Sequence, residues 1–179
     1  MQWTMMVLLF AFATTISPGP NNVMIISSGV NFGFKRSLPH LLGIALGFPL
    51  MLLAVGLGLS VLFEQFSQLY RVIQFIGIAY LLYLAYLLAN AQPIQQDGIA
   101  SQPLTFIQAA AFQWVNPKAW VMATGALSAF TDSEQFLWQV CLMTGIFFLV
   151  AVVCVSTWLV FGIILAKLLQ HPKHRQRFN

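Results

Sequence analysis

Apolar residues run along this chain in long unbroken stretches, without the alternation of a half-buried strand or the polar face of a surface helix. The intervals free of Asp, Glu, Lys and Arg are 2–34, 37–63, 72–96, 98–117, 119–131 and 135–166. Most are long enough for the roughly 20 residues with which a helix crosses a hydrocarbon core about 30 Å thick. A membrane barrel would instead show short alternating segments. The pattern predicts five apolar helices at about residues 3–27, 39–62, 72–90, 104–130 and 136–166.

Two of these helices contain their own breaks. Ser17-Pro18-Gly19-Pro20-Asn21-Asn22 lies inside the first, and Asn116-Pro117-Lys118 lies inside the fourth. Proline has no N–H to donate and clashes with the preceding turn, and glycine loosens the backbone, so neither stretch can continue a regular helix. At membrane depth the freed backbone groups persist only where protein or a polar cavity satisfies them. Pro18 and Pro117 stand 99 residues apart, each about a dozen residues into its segment. Paired breaks at matching positions are the sign of a duplicated transporter half, with the site at the breaks.

Composition strengthens the membrane reading. The chain is 59% hydrophobic and 7% charged, with mean hydropathy +0.82, where a soluble domain is about a quarter charged. The N-terminal segment has no basic leader and no obvious small-residue cleavage site, so it is expected to stay as the first helix. The fold class is therefore all-α: a polytopic transmembrane helical bundle. Its first half is residues 1–90, with three helices; a polar linker at 91–103 follows; the second half is residues 104–179, with two helices and a basic tail. Adding the 99-residue offset to the third helix places a sixth at about 171–189. There the chain turns basic and ends at Asn179, so the expected arrangement is an inverted three-plus-three repeat lacking its sixth helix.

The charges set an orientation. Lys35, Arg36, Lys167, Lys173, Arg175 and Arg177 fall on one side and Arg71 on the other, which places the N-terminus outside. The sequence pI of 9.4 follows from these flanking residues and does not call for a nucleic-acid partner. The tail, with His171 and His174, is expected to meet anionic lipid. Gly43 and Gly47 have the GxxxG spacing that lets helix backbones approach closely. Tyr80, Tyr83 and Tyr86 suit packing or interfacial anchoring.

Lys118 is the most informative charge. About a dozen residues into its segment, it lies roughly 18 Å deep, near the middle of the core. It also stands in the first turn after Pro117, where the helix dipole is already positive, so an anionic partner or a wet cavity is expected. No Asp or Glu lies inside a span, so a substrate carboxylate fits that place; capping of freed carbonyls is the structural alternative. Broken helices offer unpaired N–H groups at one end and carbonyls at the other. Asn21, Asn22 and Asn116 add amides that donate or accept. His40, the only histidine outside the tail, could titrate near neutral pH, though a hydrogen-bonded structural role fits it as well.

Other functions find less support. No GxxxxGK[ST] sequence is present, so ATP is not the expected energy source, and no cofactor is expected. Cys141 and Cys154 lie 13 residues apart in one apolar segment, without metal-ligand or CxxC spacing. A membrane thiol-disulfide carrier would need cysteines at the breaks, which hold Gly19 and Lys118. No nucleophile or acid-base constellation suggests a hydrolase, so neither catalytic residues nor a metal site are expected. A passive channel for small metabolites stays open as the second reading.

In order along the chain, Pro18-Gly19-Pro20-Asn21-Asn22, Gly33 before the basic loop, Gly43 with Gly47, Gly77-Ile78-Ala79-Tyr80-Leu81 and Asn116-Pro117-Lys118-Ala119 resemble the LysE/RhtB amino-acid exporters of bacterial inner membranes. Ser27-Ser28, Gly33-Phe34, Leu46-Gly47-Phe48 and Ala126-Leu127-Ser128 bring the chain nearest the members that export cysteine and O-acetylserine. The resemblance implies proton-driven efflux of small neutral amino acids, cysteine/O-acetylserine-like or threonine/homoserine-like, and a sixth helix. The broken helices place the expected substrate site at Pro18, Gly19, Pro20, Asn21, Asn22, Asn116, Pro117 and Lys118. The chain departs from the family at Phe48, where many members carry an acidic residue, and at Ala109, where glycine is common.

Overall fold

Proline marks both helix breaks, with glycine beside it at the first, although Pro39 and Pro49 lie inside a helix without ending it. The computed structural model describes residues 2–59, 75 and 102–170, and among them every regular element is helical. Helix α1 (Gln2–Ile16) ends at Ser17-Pro18-Gly19, and α2 (Pro20–Ala54) begins with proline in its first turn, where the missing N–H costs nothing. A π-helical turn at Val55–Leu59 closes α2. The second break separates α3 (Phe106–Val115) from α4 (Pro117–Phe130), and α5 (Phe136–Gln170) is the longest uninterrupted helix.

Helix α2 is not one rod. Gly33 sits at φ 70°, ψ −173°, a backbone conformation open essentially only to glycine. Ser28 and His40 would stand about 18 Å apart along a straight helix. Their side chains hydrogen-bond at 2.8 Å, so the chain doubles back at Gly33 into two arms, 20–32 and 34–54. The first expected helix is thus α1 plus the first arm, and the second is the other arm with its π turn.

This corrects the expected bounds. The chain stays helical through Ser27-Ser28-Gly29, which the sequence marks as turn-rich, and the reversal takes one residue. Gly29 is a packing glycine: a Cβ there would lie 2.5 Å from the Leu159 carbonyl oxygen on α5. Its counterpart Gly162 would bring a Cβ to 2.3 Å from the Ile26 oxygen, so the first arm and α5 cross with their backbones nearly touching. On the second arm, a Cβ on Gly43 would meet the Phe106 oxygen at 2.5 Å, and one on Gly47 would meet Ala110 Cα at 2.7 Å, both on α3.

Helix α5 is the element the others share, packing on α1 and both arms of α2. One core cluster joins Val7, Ala11, Phe48, Ala123, Met143 and Phe147, with Phe10 and Phe48 edge-on to Phe147; a second joins Ile25, Leu41, Ala45, Ala109, Val155 and Leu159. The outward faces are apolar too, with Leu9, Ile107, Val121, Leu149 and Val153 exposed. Such a surface suits lipid rather than water. Phe136–Leu168 is long and apolar enough to cross a membrane as one helix; Pro20–Gly58 passes the same test of length and apolarity but folds back at Gly33. The expected third helix, its tyrosines, the loop before it, most of the linker and the basic tail with the sixth-helix position lie outside the described residues.

Candidate substrate site

A helix end leaves its last four carbonyls without intrahelical partners, and at α1 every one of them is taken up by a side chain. Pro18 cannot bond back to Thr14, so Ser17 Oγ donates to that carbonyl at 2.8 Å. Asn22 Nδ2 donates to the Thr15 carbonyl at 3.2 Å, and Trp158 Nε1, from α5, to the Ile16 carbonyl at 3.2 Å. The Ser17 carbonyl accepts twice, from Asn22 Nδ2 at 2.8 Å and from Lys118 Nζ at 2.5 Å.

The last bond resolves the problem posed by Lys118. Its ammonium leaves the positive N-terminus of its own helix, α4, for the negative C-terminal end of α1, where the dipole favours a cation by about 0.3–2 kcal/mol depending on burial. The expected anionic partner is thus replaced by a carbonyl, and the two breaks are tied together. Gly19 makes the reach possible, because a Cβ there would lie 2.8 Å from Lys118 Cδ and 3.1 Å from Nζ. A second tie runs beside the first: Asn21 and Gln113 exchange amide hydrogen bonds of 2.8 and 3.2 Å, and Gln113, fully buried, also donates to the Ala109 carbonyl.

The second break is organised similarly. Asn116 ends α3 and caps α4, its side chain accepting from Lys118 N at 3.1 Å, while Trp120 Nε1 takes the Trp114 carbonyl at 2.7 Å. At the first break the cap position is Gly19, which has no side chain to offer, so the first-turn N–H groups of α2 carry no side-chain cap.

Between the breaks lies a cavity of about 30 Å³, room for about one water molecule. Of the expected site residues, Gly19, Asn21, Asn22, Asn116 and Lys118 line it. Pro18, Pro20 and Pro117 do not; Pro18 and Pro117 are exposed and act by ending or starting a helix. The carbonyls and amides expected to face a ligand are engaged within the chain. The cavity adds residues that sequence reasoning misses. Gln113 and Thr15 are polar members of otherwise apolar helices, and Thr15 Oγ1 is buried with no hydrogen-bond partner. Phe48 and Met122 supply apolar wall. Both described cysteines lie on α5, away from the breaks, Cys141 exposed and Cys154 buried. Among the described residues no cluster of His, Cys, Asp and Glu could hold a metal.

Residues 12–179 match the LysE type translocator family. The chain belongs to that family. Proteins of the LysE type are transporters, not enzymes. The chain is also similar to the cysteine/O-acetylserine efflux proteins of Escherichia coli K12 and Shigella sonnei. Each is 32% identical over 134 residues, covering 73% of this chain and 68% of the relative. No solved structure matches it. The cavity of this LysE translocator lies where its two interrupted helices meet.

Proposed function

We propose that this LysE translocator exports small neutral amino acids of the cysteine and O-acetylserine type, or of the threonine and homoserine type, by alternating access at the paired breaks. The observation that carries the reading is the tie from Lys118 to the Ser17 carbonyl, which joins the two breaks across one cavity. The similarity to cysteine/O-acetylserine efflux proteins supports the substrate class.

A zwitterion can replace the Lys118 tie. Its carboxylate takes the Lys118 ammonium away from the Ser17 carbonyl and meets the uncapped first turn of α2. Its ammonium takes the carbonyl that Lys118 leaves, together with Gln113 Oε1 or Thr15 Oγ1. Both groups of the Lys118 tie, the ammonium and the Ser17 carbonyl, are thus satisfied by the substrate and neither is left unpaired. The cavity as it stands is too small for an amino acid, so binding requires the breaks to part, and the parting is the step that alternating access uses. Phe48 and Met122 bound the side-chain space and favour a small, uncharged substituent.

In this reading the protein is a multi-pass protein of the bacterial inner membrane with its N-terminus outside. The halves are 1–90 and 104–179, the linker is 91–103, and the repeats are inverted. The first broken helix then runs inward and the fourth outward. Export against a gradient draws on the proton gradient.

Efflux of labelled cysteine, O-acetylserine, threonine and lysine from preloaded vesicles tests the proposal, with Lys118→Ala and Gln113→Leu compared at matched abundance. Selective efflux of a neutral member that falls at least tenfold in both variants is the expected result. Efflux unchanged in Lys118→Ala would place the pathway elsewhere, and an absence of trans-stimulation would mean a channel.

A further inference from the structure

Export driven by protons needs a group inside the protein that binds and releases one. No Asp or Glu lies within an apolar span of this sequence. Among the described residues, the titratable groups of the spans are Lys118, already committed to the breaks, the two cysteines of α5, and His40.

His40 lies on the second arm of α2, one turn before Ile44, which lines the cavity. It is only 1% exposed. Its Nδ1 is held by Ser28 Oγ across the hairpin at 2.8 Å, while Nε2 is buried and has no partner. Ser37, one turn earlier on the same arm, is 0% exposed and its hydroxyl also has no partner. A histidine used only for packing or to tie the hairpin would not leave a ring nitrogen orphaned in the core, because buried polar groups without partners are costly and rare. The arrangement is that of a ring held at one nitrogen, with the other kept available.

The titratable and charged groups on the elements packed around it are few. Lys35 and Arg36 lie on the same arm but are exposed; α5 brings buried Cys154, exposed Cys141 and, at its far end, exposed Lys167; α4 brings Lys118; α1 and α3 bring no titratable side chain. No described carboxylate faces the ring to hold it permanently charged.

We propose that His40 is the coupling group: Nδ1–H stays on Ser28, Nε2 takes a proton from water when the pathway opens to one face of the membrane, and returns it to water when it opens to the other. The proposal rests on the exporter reading. His40 does not line the cavity and does not touch the amino acid. Its role is to link the protonation state to the hairpin that carries Ile44 and Phe48.

The test uses the full chain in proteoliposomes, with two measurements on labelled O-acetylserine: exchange without a gradient, and uphill movement under an imposed pH gradient. In His40→Gln, exchange is expected to continue while gradient-driven accumulation falls at least tenfold. Accumulation equal to that of the unaltered protein overturns the proposal, as does loss of both activities in a variant that stays folded. Absence of exchange in the unaltered protein would instead sink the exporter reading. Should His40→Gln not fold, Ser28→Ala decides, since freeing Nδ1 should move the pH at which accumulation is half-maximal by half a pH unit or more. An unmoved profile there overturns the assignment.

Discussion

Lys118 shows how a single side chain can be legible while its partner is not. A cation in the middle of an apolar segment announces itself in any sequence, and so does its need for a counterpart. That counterpart is a backbone carbonyl 101 residues away, at a helix end that only the fold brings near. Gln113 is harder still, because one amide in an apolar helix is ordinary until Asn21 meets it. At the same scale, Asp132 organises the turn before α5. Its carboxylate accepts from Gln135 N at 2.9 Å, Gln139 Nε2 at 2.6 Å and Glu134 N at 3.0 Å. These donors, the Gln135 backbone first, hold the carboxyl below its ordinary value. A folded pKa lower than the unfolded one contributes stability above the unfolded value of about 3.9, and that stability is lost as pH falls through the folded value. Thermal unfolding followed from pH 6 down to pH 3 should therefore show a smaller acid loss in Asp132→Asn than in the unaltered protein. Identical profiles would mean the turn contributes nothing.

Among elements, the contact that decides the most is the crossing of α5 over the first arm of α2. Gly29 and Gly162 each face a backbone carbonyl of the other helix. A valine at Gly162 would place its Cβ against the Ile26 oxygen, and backbone cannot move aside as a flexible side chain can. Gly162→Val is expected to destabilise by about 2 kcal/mol or more, within the overpacking range. Gly145→Val, on the same helix where a Cβ would meet nothing within 4 Å, serves as the control and should unfold near the unaltered temperature. Equal melting of the two variants in detergent would show that the close crossing is not needed. The GxxxG spacing of Gly43 and Gly47 is visible in the sequence. Gly162 belongs to no such pair, and Gly29, though four residues before Gly33, stands beside two serines and looks like part of a turn until α5 lies against it.

For the molecule as a whole, the breaks are where the pair α1 and α2 holds the pair α3 and α4, and a ligand that replaces the Lys118 tie should change global stability. A substrate binding only the folded state adds about 2.7 kcal/mol at a hundred times its dissociation constant. The transported amino acid, added at saturation, should raise the unfolding temperature of the unaltered protein, and Lys118→Ala should lose that rise. A rise of the same size in the variant would mean that the ligand binds away from the breaks. The same scale explains the outer surface: apolar residues face outward on several helices, so the chain buries polar ties inside and leaves its hydrophobic exterior for lipid.

The sequence by itself determined the all-helical class and the two places where the helices break. These follow from chemistry carried by each residue alone: apolar length, the missing N–H of proline, and the scarcity of charge. It also marked Lys118 and the family, because motifs are local. Tertiary structure decided what the breaks do to each other. That Lys118 serves the end of α1 and that Asn21 clasps Gln113 depends on segments about a hundred residues apart. The single-residue reversal at Gly33, which brings Ser28 to His40, depends on a backbone angle that the letter G permits but does not specify. Distances across the fold are properties of packing, and no spacing along the chain records them.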